Sequence, residues 1–177
     1  MKPARFKPER FRWIAAVIFA HPGHTVYGRT RLQKEMLLLQ RCGLPADYDF
    51  RMHYYGPYSD GIQSDLNLLD RMKLVSQEPA VTEMTGKRYT IFTASKEARM
   101  DAMDDFQGAI NRMADTDTVV LELAATYDAF YEKVNDHDRA RSLLGRMKKD
   151  KCTEERVRHA MKLLSDLGLP SAPADAA

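Results

Sequence analysis

Apolar residues recur at every third or fourth position along much of the chain, and this spacing predicts a mainly helical protein. Proline and glycine pairs separate the periodic segments at Pro22-Gly23 and at Gly56-Pro57, where we expect the chain to turn. The predicted helices cover residues 8–20, 29–42, 59–72, 95–113, 117–134, 139–148 and 153–167.

Strand patterns occur in the first half of the chain. Residues 47–55 alternate as an extended stretch does, and residues 73–77 and 87–93 flank a loop that contains Pro79 and Gly86. Three helices followed by a β-hairpin is the element order of a winged helix. The sequence therefore predicts an α+β, predominantly helical fold. The expected parts are a winged-helix-like core with a β-hairpin wing in residues 1–93, a C-terminal helical bundle in residues 94–168 and a disordered tail in residues 169–177.

The composition is that of a globular protein, with 177 residues of which 44% are apolar and 29% charged. The apolar run at residues 13–20 is far too short to cross a membrane, so we expect no membrane partner. The two cysteines, Cys42 and Cys152, cannot form a disulfide framework. Reduced thiols are usual in the cytoplasm, which is the location that we expect.

The net charge of +2 conceals a separation of charges along the chain. Residues 1–41 carry nine basic and two acidic side chains, whereas residues 42–136 carry nine basic and seventeen acidic ones. The basic part is suited to meet phosphate groups or an acidic partner protein. An alternative is that the two parts pair within the fold or across a homodimer.

The sequence contains no pattern that points to catalysis. His21 and His24 share a Pro-Gly turn without a matching set of further metal ligands, and Asp101, Asp104 and Asp105 have the spacing of a solvated helix face. The sequence has neither a glycine-rich phosphate loop nor a nucleophile elbow. We therefore expect a protein that is not an enzyme and uses neither a metal nor a cofactor.

Three tyrosines surround the predicted turn, namely Tyr54, Tyr55 and Tyr58. One interpretation is a binding surface, because aromatic rings stack on bases and are frequent in protein interfaces. The other interpretation is structural, with the rings packed between the strand and the first helices and a hydroxyl group reaching water. The structural interpretation is favoured, and Tyr55 and Tyr58 are the tyrosines that we name as candidates for contacting a partner.

The third predicted helix would read DNA in a conventional winged helix. Gln63 and Asn67 on its outer side are suited to contact base edges. Asp60, Asp65 and Asp70 would oppose a phosphate backbone, so the sequence disfavours entry of this helix into a groove of DNA. The basic candidates for contacting phosphates or an acidic partner are Arg29, Arg31 and Lys34 near the second helix and Lys87 and Arg88 in the wing.

Several motifs give the chain a resemblance to a known family. Leu32-Gln33-Lys34 lies in the second helix, Tyr55-Gly56-Pro57-Tyr58-Ser59 forms the aromatic turn, and a lysine-rich turn with a closing helix begins at Lys148. With these motifs the chain resembles the YwgA-like family and is similar to the broader Panacea (SocA-like) antitoxin domain. The resemblance covers about residues 11–168 and implies a winged-helix-like, non-catalytic prokaryotic module, some of whose relatives neutralise toxins.

Two functions are therefore expected, and they belong to different classes. The first is a regulatory module that binds a protein partner in the manner of an antitoxin, with a toxin as the implied partner. The second is a DNA-binding transcriptional regulator that uses the basic N-terminal surface and the wing. The sequence does not decide between them.

Overall fold

The computed structural model describes residues 9–173. The helices are α1 (Arg10–Ala20), α2 (Arg29–Arg41), α3 (Asp60–Arg71), α4 (Gln107–Ala114), α5 (Thr118–Val134), α6 (His137–Lys148) and α7 (Glu154–Asp166). The strands are β1 (Thr25–Tyr27), β2 (Arg51–His53), β3 (Gly56–Tyr58), β4 (Val75–Val81) and β5 (Arg88–Ala94). Within residues 9–173 no helix combines the length and the apolar character needed to cross a membrane. The basic residues of segment 1–8 and the end of the predicted tail, 174–177, lie outside the described residues.

Two small antiparallel sheets accompany the helices. β1, β5 and β4 form one sheet in that order, with Val26 paired to Phe92 and Val75 paired to Ala94. β2 and β3 form a separate hairpin. The prediction of an α+β, predominantly helical fold is confirmed. The sequence pattern does not predict β1, because three residues are too few to show an alternation.

Helices α2 and α5 form the centre of the molecule. α2 is buried over residues 32–39 and α5 over residues 120–128. Because each of these stretches is longer than two helical turns, this part of each helix is enclosed on every side. α5 packs against α2, α6, α7 and β3. Residues from both predicted parts of the chain contribute to one hydrophobic core, in which α1 supplies an unbroken buried run at residues 13–18.

Residues 95–113 differ from the sequence prediction. One continuous helix is expected there, whereas the structure has 3-10 segments at Lys96–Ala98 and Asp101–Phe106 before α4 begins. Met100, between the two segments, has an extended backbone with φ −136° and ψ 125°. Aspartate side chains compete for backbone hydrogen bonds and favour such turns over a helix interior. The prediction of one long helix is therefore wrong.

The turn expected at Gly56-Pro57 is also displaced. Tyr54 and Tyr55 form the turn, and Gly56 and Pro57 belong to β3. The backbone at Gly56 has φ +91°, a conformation that strongly favours glycine. The glycine is thus required within the strand beside the turn rather than at the tip of the turn.

Residues 169–173 pack against the protein, although the sequence predicts a disordered tail. Leu169 N donates a hydrogen bond to Leu164 O at 2.8 Å. Leu169 packs on the core, and Ala172 is only 5% exposed. Single apolar residues that dock in this way produce no periodic pattern, which is why the sequence does not reveal them.

Candidate functional site

The β2–β3 hairpin carries Tyr54 and Tyr55 at its tip, and we call this pair the aromatic turn. Tyr54 is 80% exposed and Tyr55 is 51% exposed. Their rings meet edge to face, with the ring centroids 5.1 Å apart. An exposed apolar patch built from adjacent aromatic rings is a candidate binding surface.

Buried lysines of two helices hold the backbone of the aromatic turn. Lys34 of α2 donates a hydrogen bond through Nζ to Pro57 O at 2.5 Å. Lys148 of α6 donates through Nζ to Tyr54 O at 3.2 Å. Hydrogen bonds from an ammonium group to a carbonyl oxygen are stronger than those between neutral groups. The backbone on both sides of the turn is therefore fixed to the helical core.

A third contact from α2 fixes the end of the hairpin. Gln33 Nε2 donates a hydrogen bond to Ser59 O, and Ser59 N donates to Gln33 Oε1, each at 2.9 Å. The two bonds satisfy both backbone polar groups of the residue that precedes α3. Gln33 is 2% exposed, so water does not compete for these bonds.

Helix α5 approaches the hairpin so closely that only glycine fits at position 56. A Cβ atom on Gly56 would overlap Thr126 Oγ1 and would lie 3.6 Å from both Cε and Nζ of Lys34. The hairpin at Gly56 thus lies directly against the Thr126 side chain of α5 and the Lys34 side chain of α2. This contact also explains why residues on these three elements surround one site.

The lysines that hold the turn belong to a group of charges that we call the lysine cluster, in which Lys34, Glu122 and Lys148 are buried and the Lys151 side chain is 40% exposed. Lys148 Nζ lies 2.6 Å from Glu122 Oε1, and Lys151 Nζ lies 3.0 Å from each Glu122 oxygen. Lys34, Glu122 and Lys148 are 1%, 3% and 6% exposed. Within residues 9–173, no carboxylate oxygen lies within 4.0 Å of Lys34 Nζ.

The lysine cluster contains more positive than negative charge, since it has three ammonium groups and one carboxylate. Burial lowers the pKa of Lys34 to about 8, and the charges of Lys148 and Lys151 add to this lowering while Glu122 opposes it. Lys34 therefore carries its proton at neutral pH without a carboxylate partner of its own.

A groove of about 440 Å³ lies beside the aromatic turn. This volume is within the range of small-molecule pockets. The Tyr58 and His53 rings lie with centroids 5.7 Å apart. The groove brings together four of the residues that the sequence singled out, Arg29, Lys34, Tyr55 and Tyr58. The lining residues are Arg29, Thr30, Gln33, Lys34, His53, Tyr55, Tyr58 and Asp60.

Two further predicted residues are connected to this groove through Arg29. Arg29 Nη1 donates a hydrogen bond to Gln63 Oε1, and Gln63 Nε2 donates to Asn67 Oδ1 at 3.4 Å. Arg29 Nε also donates to Thr90 Oγ1 of β5 at 3.3 Å. Gln63 and Asn67, the side chains predicted to read bases, are thus linked to Arg29 of α2. Arg29 is in turn linked to the sheet through Thr90.

The remaining predicted residues lie elsewhere. The guanidinium group of Arg31 donates to Thr116 O at 2.6 Å and to Glu35 Oε1 at 3.1 Å. These contacts join α2 to the segment between α4 and α5 and give Arg31 a structural role. Lys87 and Arg88 are exposed at the loop end of the β4–β5 hairpin, and neither lines the groove.

The histidines considered as metal ligands have other partners. His21 is buried, and its Nε2 lies 2.7 Å from Glu35 Oε2. His24 is exposed and stacks on Phe19 with ring centroids 3.9 Å apart. In the part of the chain that the structure describes, no three His, Cys, Asp or Glu side chains are grouped to hold a metal ion.

Sequence reasoning missed Gln33, Glu122, Lys148 and Lys151 as parts of the site. The available signal was a polar residue with apolar neighbours on both sides, as at Glu122 between Leu121 and Leu123. Such a residue is enclosed when its whole helix is central, and it must then find a polar partner. A single sequence does not indicate which helices are central.

Comparison with known proteins finds a similarity to the uncharacterised protein YwgA of Bacillus subtilis (strain 168). The two sequences are 24% identical over 158 residues, which cover 85% of this chain and 92% of YwgA. No protein-family model matches the chain. The similarity supports the resemblance to a YwgA-like family that the motifs indicate, and it carries no assigned activity.

Proposed function

We propose that this protein is a non-catalytic regulatory module that binds a protein partner through the aromatic turn. One observation carries the proposal: Tyr54 and Tyr55 are exposed on a backbone that the buried lysines Lys34 and Lys148 hold in place. Tyrosine offers a large contact area with few rotatable bonds and is enriched among the residues that dominate binding energies.

The fixed backbone supports a binding role because ordering a flexible loop on association costs free energy. Burying an ammonium group is itself unfavourable unless the group finds good partners. Lys34 and Lys148 find them in the carbonyl groups beside the turn and, for Lys148, in Glu122. These buried contacts thus hold the backbone that carries the two exposed rings.

The surroundings of the aromatic turn favour an acidic partner surface. Lys151 Nζ lies 5.6 Å from the centroid of the Tyr55 ring, and Arg51 is exposed on the same hairpin. Positive charge around an aromatic contact increases the association rate with a negatively charged protein. The resemblance to the Panacea (SocA-like) domain supports a toxin as the partner, and the free cysteines Cys42 and Cys152 support the cytoplasm as the place of action.

The product of an adjacent gene, co-expressed with this protein, is the appropriate first probe for a partner. We expect the two proteins to co-purify and hydrogen exchange in the complex to slow at residues 52–58 but not at residues 25–27, which carry the exposed Tyr27. Protection confined to the β4–β5 hairpin, or to α3, would contradict binding through the aromatic turn.

A second candidate function rests on the order of the elements. α1, β1, α2, α3, β4 and β5 follow one another, and the sheet has the order β1-β5-β4. We interpret this arrangement as winged-helix-like, and Arg88 on the wing and Arg29 beside α3 are suited to contact phosphates. Asp60 and Asp70, both exposed on α3, oppose insertion of that helix into DNA. This makes DNA binding the second choice.

A further inference from the structure

We propose that the groove beside the aromatic turn binds a nucleoside monophosphate, with its phosphate at Lys34 and its base against the tyrosine rings. This inference goes beyond the proposed function, because it concerns a small ligand in the groove rather than a protein on the turn. Lys34, Tyr55 and Tyr58 all line the groove.

Among the described residues, the partners of Lys34 leave room for an anion. Lys148 and Lys151 both pair with Glu122, which leaves Lys34 without a carboxylate within 4.0 Å among the described residues. Among the described residues Lys34 donates one hydrogen bond, to Pro57 O, and an ammonium group has three donors. A buried charge is normally paired, so an anion that enters the groove completes the partners of Lys34.

The size of the charge excess favours a phosphate group. Three ammonium groups against one carboxylate leave an excess of two positive charges in the lysine cluster. The monoester form of phosphate carries between about −1.5 and −2 charges at neutral pH and offers three acceptor oxygens. Among the residues that line the groove, Arg29 and Lys34 are basic and Asp60 is acidic, so the lining carries a net positive charge.

The aromatic lining favours a ligand that also carries a planar ring. Tyr58 and His53 lie with ring centroids 5.7 Å apart and an interplanar angle of 41°, and Tyr55 lines the same groove. Nucleobases stack on such rings, and stacking tolerates any base because every base has a π-face. The groove volume of about 440 Å³ is appropriate for a ligand of this kind.

The test is calorimetric titration of the full chain with each common ribonucleoside monophosphate, with the corresponding nucleoside, and with inorganic phosphate. We expect at least one monophosphate to bind, and the nucleoside and inorganic phosphate each to bind about tenfold more weakly or worse, since each lacks half of the contacts. Binding of no monophosphate would overturn the proposal. Equal binding of inorganic phosphate would also overturn it, because the site would then select only charge.

Variants locate the site. Lys34→Met is expected to abolish binding and Tyr58→Ala to weaken it about tenfold, whereas Lys96→Gln, at an exposed lysine outside the groove, should bind normally. Circular dichroism checks that each variant folds. If Lys34→Met does not fold, Tyr55→Ala and Tyr58→Ala decide, since both residues line the groove, and unchanged affinity in both would contradict the site.

The proposal of a nucleotide site and the proposal of a protein partner can be refuted independently of each other. Tyr54 does not line the groove, so Tyr54→Ala should weaken binding of the protein partner and leave the affinity for the monophosphate unchanged. Loss of monophosphate binding in Tyr54→Ala would overturn the placement of the ligand in the groove. Absence of a protein partner would leave the nucleotide titrations unaffected.

Discussion

Lys34 Nζ lies 2.5 Å from the carbonyl oxygen of Pro57, so a lysine in the middle of a buried helix holds the backbone next to an exposed aromatic turn. The adjacent Gln33 holds Ser59 in the same way. Residues of the motif Leu32-Gln33-Lys34 therefore form hydrogen bonds with the backbone of the motif from Tyr55 to Ser59. These hydrogen bonds are a physical reason for the two motifs to occur together in one sequence.

Replacing Gly56 by alanine should destabilise the protein strongly. The positive φ is unfavourable for alanine, and the added Cβ overlaps Thr126 Oγ1. We expect a loss of about 2–4 kcal/mol in the free energy of unfolding, measured by urea denaturation. Gly108→Ala is the control, because it lies in α4 with open space around it and should be neutral or stabilising. Equal effects of the two changes would contradict the close approach of the hairpin and α5.

Replacing Gln33 by alanine should cost about 2–3 kcal/mol of unfolding free energy, because Ser59 N and Ser59 O would lose their buried partners. Gln77→Ala is the matched control, since Gln77 is only partly buried and its amide makes longer contacts of 3.3 and 3.4 Å. The same denaturation experiment measures both variants. A loss for Gln33→Ala no larger than that for Gln77→Ala would show that the hairpin does not depend on this contact.

The stability of the protein should depend on pH through Lys34. In the folded protein burial lowers the pKa of Lys34 from 10.5 to about 8, while in the unfolded chain the ordinary value applies. Between these values the unfolded state binds more protons, so the free energy of unfolding rises with pH. Below about pH 8 both states hold the proton and this contribution is constant.

The measurement is urea denaturation of the wild-type protein and of Lys34→Met over a pH series from neutral to about 10. The difference in unfolding free energy, wild type minus variant, should increase over the upper part of that series. Comparing the two proteins removes the contribution of the other groups that titrate there. Parallel curves would contradict the buried, charged state of Lys34.

Binding to duplex DNA, if it occurs, should be weak and independent of sequence, and it should fade as salt approaches physiological strength. Fluorescence anisotropy over a salt series should show that Arg88→Ala lowers the salt slope by about one. Gln63→Ala and Asn67→Ala should change little. Arg31→Ala should mainly lower stability, because its guanidinium group is bonded to Thr116 O and to Glu35. Tight, salt-resistant binding to one operator that is lost in Gln63→Ala would instead favour a DNA-binding regulator.

Much of the fold is predictable because helical periodicity is strong wherever one side of a helix is buried. α3 buries Ile62, Leu66 and Leu69 as its spacing indicates, and α5 begins after Asp117, whose side chain accepts from Val119 N and Val120 N. The aspartate-rich stretch before α4 is less predictable, because an apolar spacing of three or four residues suits 3-10 and α-helical turns alike.

The candidate site is less predictable than the fold. Lys34 is named from the sequence as a surface cation that meets phosphates or a partner, whereas it is 1% exposed and holds the hairpin. The sequence pattern assigns α2 a single buried stripe, but residues 32–39 are buried on every side of the helix, so the polar residues among them face inward too. Glu122 and Lys148 are far apart in sequence, and only folding brings them together.

The affinity of the protein partner for Tyr55→Ala, compared with Tyr27→Ala, tests the central claim most directly. The two tyrosines are similarly exposed, at 51% and 59%, but Tyr27 lies on β1 and not on the aromatic turn. If the aromatic turn is the binding surface, Tyr55→Ala should raise Kd by about 30-fold while Tyr27→Ala leaves it unchanged. An unchanged Kd for Tyr55→Ala, or an equal rise for both variants, would contradict the account.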